Sequence, residues 1–220
     1  MPQPPPWNPD QPAFLPRIAA NAARLARSIH QEAASRAQPE WSMAKTWHRT
    51  FFAGVPAPRP YYIGEIRDSD PRFPDLVNHE VMVVPENLPG VPAFEVPARL
   101  ITFQEGLHAR IAPLDEAIAS GGPPATQADN DAVLAVCAWT HGEWIRIHPF
   151  VNGNGRTARA WVLWLALRYG LPPFIRLHPR PGGDAYKRAA SVQMDPGYDR
   201  PMQRVFTAML SSIGGAQSPY

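Results

Sequence analysis

Apolar residues recur at helical spacing over most of this chain. Over residues 13–36, Ile18, Ala22, Leu25 and Ile29 fall on one face and predict an amphipathic helix. Residues 40–52 predict a second, with Trp41, Ala44, Phe51 and either Trp47 or His48 turned inward. The clearest helix opens at Pro97. In it Leu100, Phe103, Leu107, Ile111, Leu114 and Ile118 follow one another at intervals of three or four, and Gly121-Gly122 closes it. The next, capped by Asp129 or Asn130, turns Val133, Val136, Cys137, Thr140, Trp144 and Ile147 inward and stops at Pro149. Residues 157–169 are another apolar run, with Trp161, Leu163, Trp164, Leu165 and Leu167, ended by Gly170 and Pro172-Pro173. Residues 183–194 predict a short helix packed through Tyr186 and Val192. A last helix starts at Asp199 or near Pro201 and carries Met202, Val205, Phe206, Met209 and Leu210.

Strand signals are few. Residues 81–84 and 93–96 are short β-prone runs, with Pro85, Pro89, Gly90 and Pro92 between or beside them, and predict a hairpin or extended flap. The pattern as a whole predicts an all-α domain, a helical bundle with one small β-hairpin, over residues 13–213. Residues 1–12 are proline-rich and read as an extended or disordered tail, and residues 214–220 as a second tail.

Composition narrows this further. A chain of 220 residues, 45% hydrophobic, is long enough to bury a sizeable core in one domain. Lys+Arg 21 against Asp+Glu 19 is too balanced to predict a nucleic-acid partner. Cys137 is the single cysteine, so there is no intrachain disulfide framework; within its apolar helical pattern it reads as a buried, inert thiol. The start lacks a basic stretch followed by an apolar one, and no apolar run reaches the ~18 residues a membrane span needs. The expectation is a soluble cytoplasmic protein with no membrane partner, export by a signal-less route staying open.

The chemistry gathers in one short stretch, I-H-P-F-V-N-G-N-G-R-T-A-R-A-W, residues 147–161. Gly153-Asn154-Gly155 is a turn that takes positive φ at little cost and opens into an apolar helix. Such a turn leaves convergent N–H groups free at the positive end of a helix dipole, which makes an anion site. Arg156 and Arg159 then sit where cations oppose the dipole by roughly 0.3–1 kcal/mol each, and they share one face. A bound polyphosphate would reverse both penalties, because guanidinium forks match phosphate oxygens. His148, just upstream, suits the role of a base taking a proton from an attacking hydroxyl.

This stretch resembles the motif of the Fic (filamentation induced by cAMP) family, written HxFx(D/E)GNGRxxR. His148, Phe150, Gly153, Asn154, Gly155, Arg156 and Arg159 match; Asn152 stands where the family has Asp or Glu. The resemblance implies a Fic fold and transfer of AMP from ATP to a Ser, Thr or Tyr hydroxyl of a target protein. It implies His148 as base, Gly153, Asn154, Gly155 and Arg156 on the α- and β-phosphates, and Arg159 on the γ-phosphate. Tyr186 would help line the nucleotide pocket. Phe150 would anchor the loop in the core. Gly64-x-x-Arg67 is similar to the segment preceding the family's hairpin, where a flap docks the target segment by strand addition. The context implied is a bacterial toxin, regulator or delivered effector, with an antitoxin or regulatory chain as a further possible partner.

Several readings stay open. Some relatives carry an inhibitory helix marked (S/T)xxxE(G/N). Ser28 and Glu32 match it while Ala33 departs, so Glu32 is either a partner of Arg159 or a solvated acid on an amphipathic helix. In the family the acid at position 152 holds Mg²⁺, and a neutral amide is a weaker ligand. Asn152 therefore either binds the metal weakly through its carbonyl, or the site uses another phosphate-containing donor, or the protein binds nucleotide and transfers slowly or not at all. Gly155 favours nucleotidyl transfer over the phosphorylation carried out by the related Doc toxins, which have lysine there. His178, between Arg176 and Arg180, either adds positive field near the phosphates or belongs to a solvated loop. The other histidines show no metal-ligand spacing.

Overall fold

The computed structural model describes residues 5–68, 70–77, 79–83 and 88–215. Among these it has helices α1 (Leu15–Ala34), α2 (Met43–Phe51), α3 (Val96–Ala117), α4 (Gln127–Ile147), α5 (Asn154–Arg168), α6 (Asp184–Val192) and α7 (Arg200–Gly215). A two-stranded antiparallel hairpin, β1 (Met82–Val83) and β2 (Leu88–Pro89), sets Met82 opposite Pro89 and Val83 opposite Leu88.

The architecture is built around α5. Its residues from Arg156 to Ala166 are all buried. A helix apolar on every side belongs in an interior rather than on a surface. Ala158, Ala160 and Ala166 let neighbours approach, and Trp161 and Trp164 fill the remaining space. The Trp161 ring meets Trp47 of α2 at 4.7 Å, Phe103 of α3 at 5.6 Å and Trp144 of α4 at 5.8 Å. Helices α1, α2 and α4 pack directly on α5, and α3 and α7 pack on α4. Where the sequence left Trp47 or His48 as the inward residue of α2, both are buried.

Three details differ from expectation. The second strand is Leu88–Pro89; residues Ala93–Glu95 instead form a 3₁₀ turn that feeds α3. Glu95 N–H bonds the Pro92 carbonyl at 2.9 Å, and Ala93 and Val96 are both buried, three apart, as on a helix face. Val84 lies outside the described residues. The cap of α4 is Thr126, not Asp129 or Asn130: Thr126 Oγ1 accepts from Asp129 N–H at 3.1 Å, and Asp129 Oδ2 accepts from Thr126 N–H at 3.0 Å. Val192, expected to pack, is 39% exposed; Tyr186 and Ala189 are the buried residues of α6.

The proline-rich start is irregular but not a free tail. The Trp7 indole is buried, 4.9 Å from the Phe52 ring, and its Nε1 donates to the Pro56 carbonyl at 3.0 Å. Tyr62 Oη donates to Pro5 O at 3.2 Å. A large indole with a satisfied N–H thus anchors this irregular segment on the core.

Candidate active site

The site lies at the elbow between α4 and α5. His148 ends α4 in the left-handed region, φ 50° and ψ 56°. That geometry turns its ring back so that Nδ1 meets the Ile145 carbonyl at 2.9 Å. A carbonyl only accepts, so Nδ1 carries the proton and Nε2 presents a lone pair. Burial drives the His148 pKa down to about 4; the bond to Ile145 opposes the shift and nearby Arg67 adds to it. At neutral pH the ring is therefore an uncharged base.

Arg67 holds this elbow in place. It is fully buried, and its guanidinium donates to the carbonyls of His148 (2.8 Å), Ile147 (3.0 Å), Val91 (2.7 Å) and His79 (2.8 Å). Its own N–H bonds Pro149 O at 2.7 Å. Burial lowers its pKa to about 10. One side chain thus ties the end of α4 to the strand region. Gly90 is pressed into the same junction: a Cβ there would lie 3.0 Å from His148 Cβ.

His48 supports the next residues from below. Gly64 N–H donates to its Nδ1 at 3.0 Å, which leaves Nε2 protonated to donate to the Asn152 carbonyl at 2.9 Å. Its ring stacks on Phe150 at 4.1 Å, and Phe150 is fully buried, anchoring the loop as the resemblance implied. Gly153 has φ 82°, and a Cβ there would come within 2.6 Å of Phe52 Cε2. Only glycine fits both demands.

The turn then opens α5. Asn154 closes the loop on itself: Oδ1 accepts Phe150 N–H at 2.9 Å, and Nδ2 donates to Phe150 O at 2.7 Å. Its side chain is therefore spent on the loop, and only its backbone is left for a phosphate, a narrower part than the one expected of it. Arg156 and Arg159 are both buried on the first turns of α5. Arg159 donates to the Leu177 carbonyl at 3.2 and 2.8 Å through Nε and Nη2. Arg156 bonds the carboxylate of Asp10. Burial, with Arg159 nearby, lowers the Arg156 pKa to about 10.

His148, Asn152, Gly153, Asn154, Gly155, Arg156, Arg159 and Tyr186 all line one cavity of about 620 Å³. The residues expected to act together are thus brought together, in a volume typical of small-molecule sites. Tyr186 is fixed from behind. Gln193 Nε2 donates to Ala138 O at 2.6 Å, so its Oε1 accepts from His141 Nδ1 at 2.7 Å, and His141 Nε2 accepts the Tyr186 hydroxyl at 2.8 Å. Arg180 and Lys187 add a basic wall, with His178 beside them. The His178 pKa is lowered by burial first and by Arg156 and Arg159 next, so this histidine sits in the arginines' field rather than in an outlying loop. The sequence reading missed Asp10, His48, Lys187 and the clamp role of Arg67; none lies within the motif, and no spacing rule connects them to it.

Two open readings are narrowed. Glu32 does not pair with Arg159: its carboxylate accepts Ser28 Oγ at 2.7 Å and Trp47 Nε1 at 2.9 Å, and it does not line the cavity. Asn152 is not built as a metal ligand. Its Oδ1 accepts Gly153 N–H at 2.6 Å, while Nδ2 donates to the Trp7 carbonyl at 3.2 Å. Among the described residues no three His, Cys, Asp or Glu side chains group as a metal site. At position 152 a magnesium ion would meet one neutral oxygen, already engaged, and that residue does not fit the metal; of the described carboxylates lining the cavity, Asp10 is bonded to Arg156 and Glu80 lies on the strand side.

Comparison with known proteins agrees with this geometry. A model of the Fic/DOC family matches residues 40–166. Over 38 residues the chain is 50% identical to "Protein adenylyltransferase Fic" of Drosophila melanogaster and 47% identical to that of Drosophila persimilis. The matched stretch covers 17% of this chain and 8% of those relatives. Among solved structures, a Fic-domain-containing signalling protein from Bacteroides thetaiotaomicron superposes with a TM-score of 0.60 at 18% identity, over 89% of this chain and 68% of the other. The Bartonella tribocorum VirB-translocated effector BepC, solved with bound AMPPNP, gives 0.53 at 12% identity, over 88% of this chain and 86% of the other. These neighbours share the helical Fic fold.

Proposed function

Because this chain belongs to the Fic/DOC family, we propose that it is a protein adenylyltransferase, moving AMP from ATP to a hydroxyl of a target protein. The observation that carries the reading is the common cavity: an imidazole with a free Nε2 faces two buried arginines and the bare N–H groups that open α5. In the reaction the target oxygen bonds the α-phosphorus and its proton passes to His148 Nε2. The bond from that phosphorus to the bridging oxygen breaks, and pyrophosphate leaves. Arg156, Arg159 and the amides of Asn154 and Gly155 balance the phosphate charge, so catalysis is positioning plus electrostatics. Tyr186 borders the rest of the nucleotide. The relation to adenylyltransferases and the AMPPNP held by BepC support the donor class. The target segment would dock as an added strand along the exposed hairpin, where Met82 is 50% exposed.

A second reading, a nucleotide-binding module that does not transfer, is favoured by the engagement of Asn152. Incubation of the full chain with α-labelled ATP separates them. Label on protein with wild type and none with His148→Ala is the expected result. Label appearing only after Asn152→Asp would replace transfer with the silent module. Label from γ-phosphate ATP would replace it with phosphorylation.

A further inference from the structure

Residues 7–10 run across the anion site, and two contacts fasten them there. Asn152 Nδ2 donates to the Trp7 carbonyl at 3.2 Å, and the Asp10 carboxylate bonds Arg156 Nη2. Asp10 is one of the residues lining the cavity. It is an acid on an arginine that, by the reading above, should hold phosphate. We infer that residues 7–10 are a strap that occupies the polyanion site from within, with Asp10 as the competing anion and Asn152 as the clasp. The inference rests on the polyphosphate reading of the cavity.

The amide at position 152 then has a positive reason. A carboxylate has no N–H to offer the Trp7 carbonyl and would set its lone pairs against that oxygen. The group that suits a metal poorly is the one that can hold the strap. The rest of the strap has a seat of its own beneath the loop: the Trp7 ring lies against Phe52 at 4.9 Å and His48 at 6.2 Å, and its Nε1 reaches Pro56 O. Asp10 is therefore presented to Arg156 rather than wandering to it. Its side chain is 51% exposed while that of Arg156 is 10% exposed. A half-exposed single carboxylate is a weak competitor. A polyphosphate carries more charge and also reaches Arg159 and the amides, so it displaces Asp10. The strap sets a threshold for entry and keeps the buried Arg156 paired when the cavity holds no anion.

The test is equilibrium binding of ATP, and of tripolyphosphate without a base, to the full chain and to Asp10→Asn. Hydrogen exchange over residues 7–11 is followed alongside. Removing the Asp10 charge is expected to tighten both ligands by about threefold to tenfold. Ligand is expected to speed exchange at residues 7–11 of the wild type, and Asn152→Asp to speed it without ligand. Wild-type binding that Asp10→Asn leaves unchanged or weakens, or exchange slowed by ligand, overturns the strap and leaves the polyphosphate reading standing. Binding of neither ligand to either protein overturns the polyphosphate reading, and the competition falls with it.

Discussion

At the scale of single residues, the site depends on groups whose protonation and space are fixed by neighbours. His148 is the clearest. Its pKa of about 4 reflects burial, against an ordinary value of 6.5. Transfer needs the neutral ring, so activity is present above the pKa and lost below it. The kcat/KM profile for transfer should stay flat from about pH 8 down to about pH 5 and fall only near pH 4. An acid limb centred near 6.5 would show instead a ring open to water. Gly153 offers a second measurement. With φ 82° and a virtual Cβ 2.6 Å from Phe52, Gly153→Ala should cost about 1–3 kcal/mol of stability, read from denaturant unfolding, and weaken nucleotide binding. Arg67 makes four carbonyl contacts, which a single ammonium cannot reproduce. Arg67→Lys should lower stability by on the order of 3 kcal/mol in the same assay and reduce transfer with little change in nucleotide affinity.

At the scale of elements, the sequence was most legible where one helix decides its own pattern. The stripes of α1 and α3 and the buried residues of α4 follow from spacing alone, because tertiary packing and periodicity agree there. Residues 93–96 looked like a strand because Ala-Phe-Glu-Val carries no helical period by itself; the buried pair Ala93 and Val96 has meaning only once α3 lies behind it. The Thr126 and Asp129 capping box was present in sequence, but Asp129 and Asn130 competed for the cap, and only the reciprocal bonds decide. The motif loop was legible because its parts are within twelve residues. His48, Arg67 and Asp10 were not, since they reach the loop from 104, 81 and 146 positions away in sequence. Glu32 stayed open between two readings for the same reason: Trp47, which binds it, lies on another helix.

At the scale of the whole molecule, buried neutral histidines tie the fold to pH. His48 and His141 are fully buried, and each has its pKa lowered from 6.5 to about 4, mainly by burial. The unfolded chain binds protons at these rings between those values and the folded chain does not. Stability is therefore full above about pH 6.5 and lost as pH falls towards 4, by about 1.4 kcal/mol per pH unit for each ring. Urea unfolding from pH 7 to pH 4 should show these slopes summed, with His148 adding its own, and His141→Gln should reduce the total. Among the described residues no helix is long and apolar enough to cross a membrane.

The two guanidiniums stand on the most enclosed helix of the bundle, whereas what overhangs them is a pair of two-residue strands and a segment held by one indole and a few polar contacts. A floor set that deep cannot reshape itself around a guest. Whatever adaptation a ligand demands must come from the roof, which therefore governs how fast a guest enters and how large it can be, while the floor governs which charges it must carry.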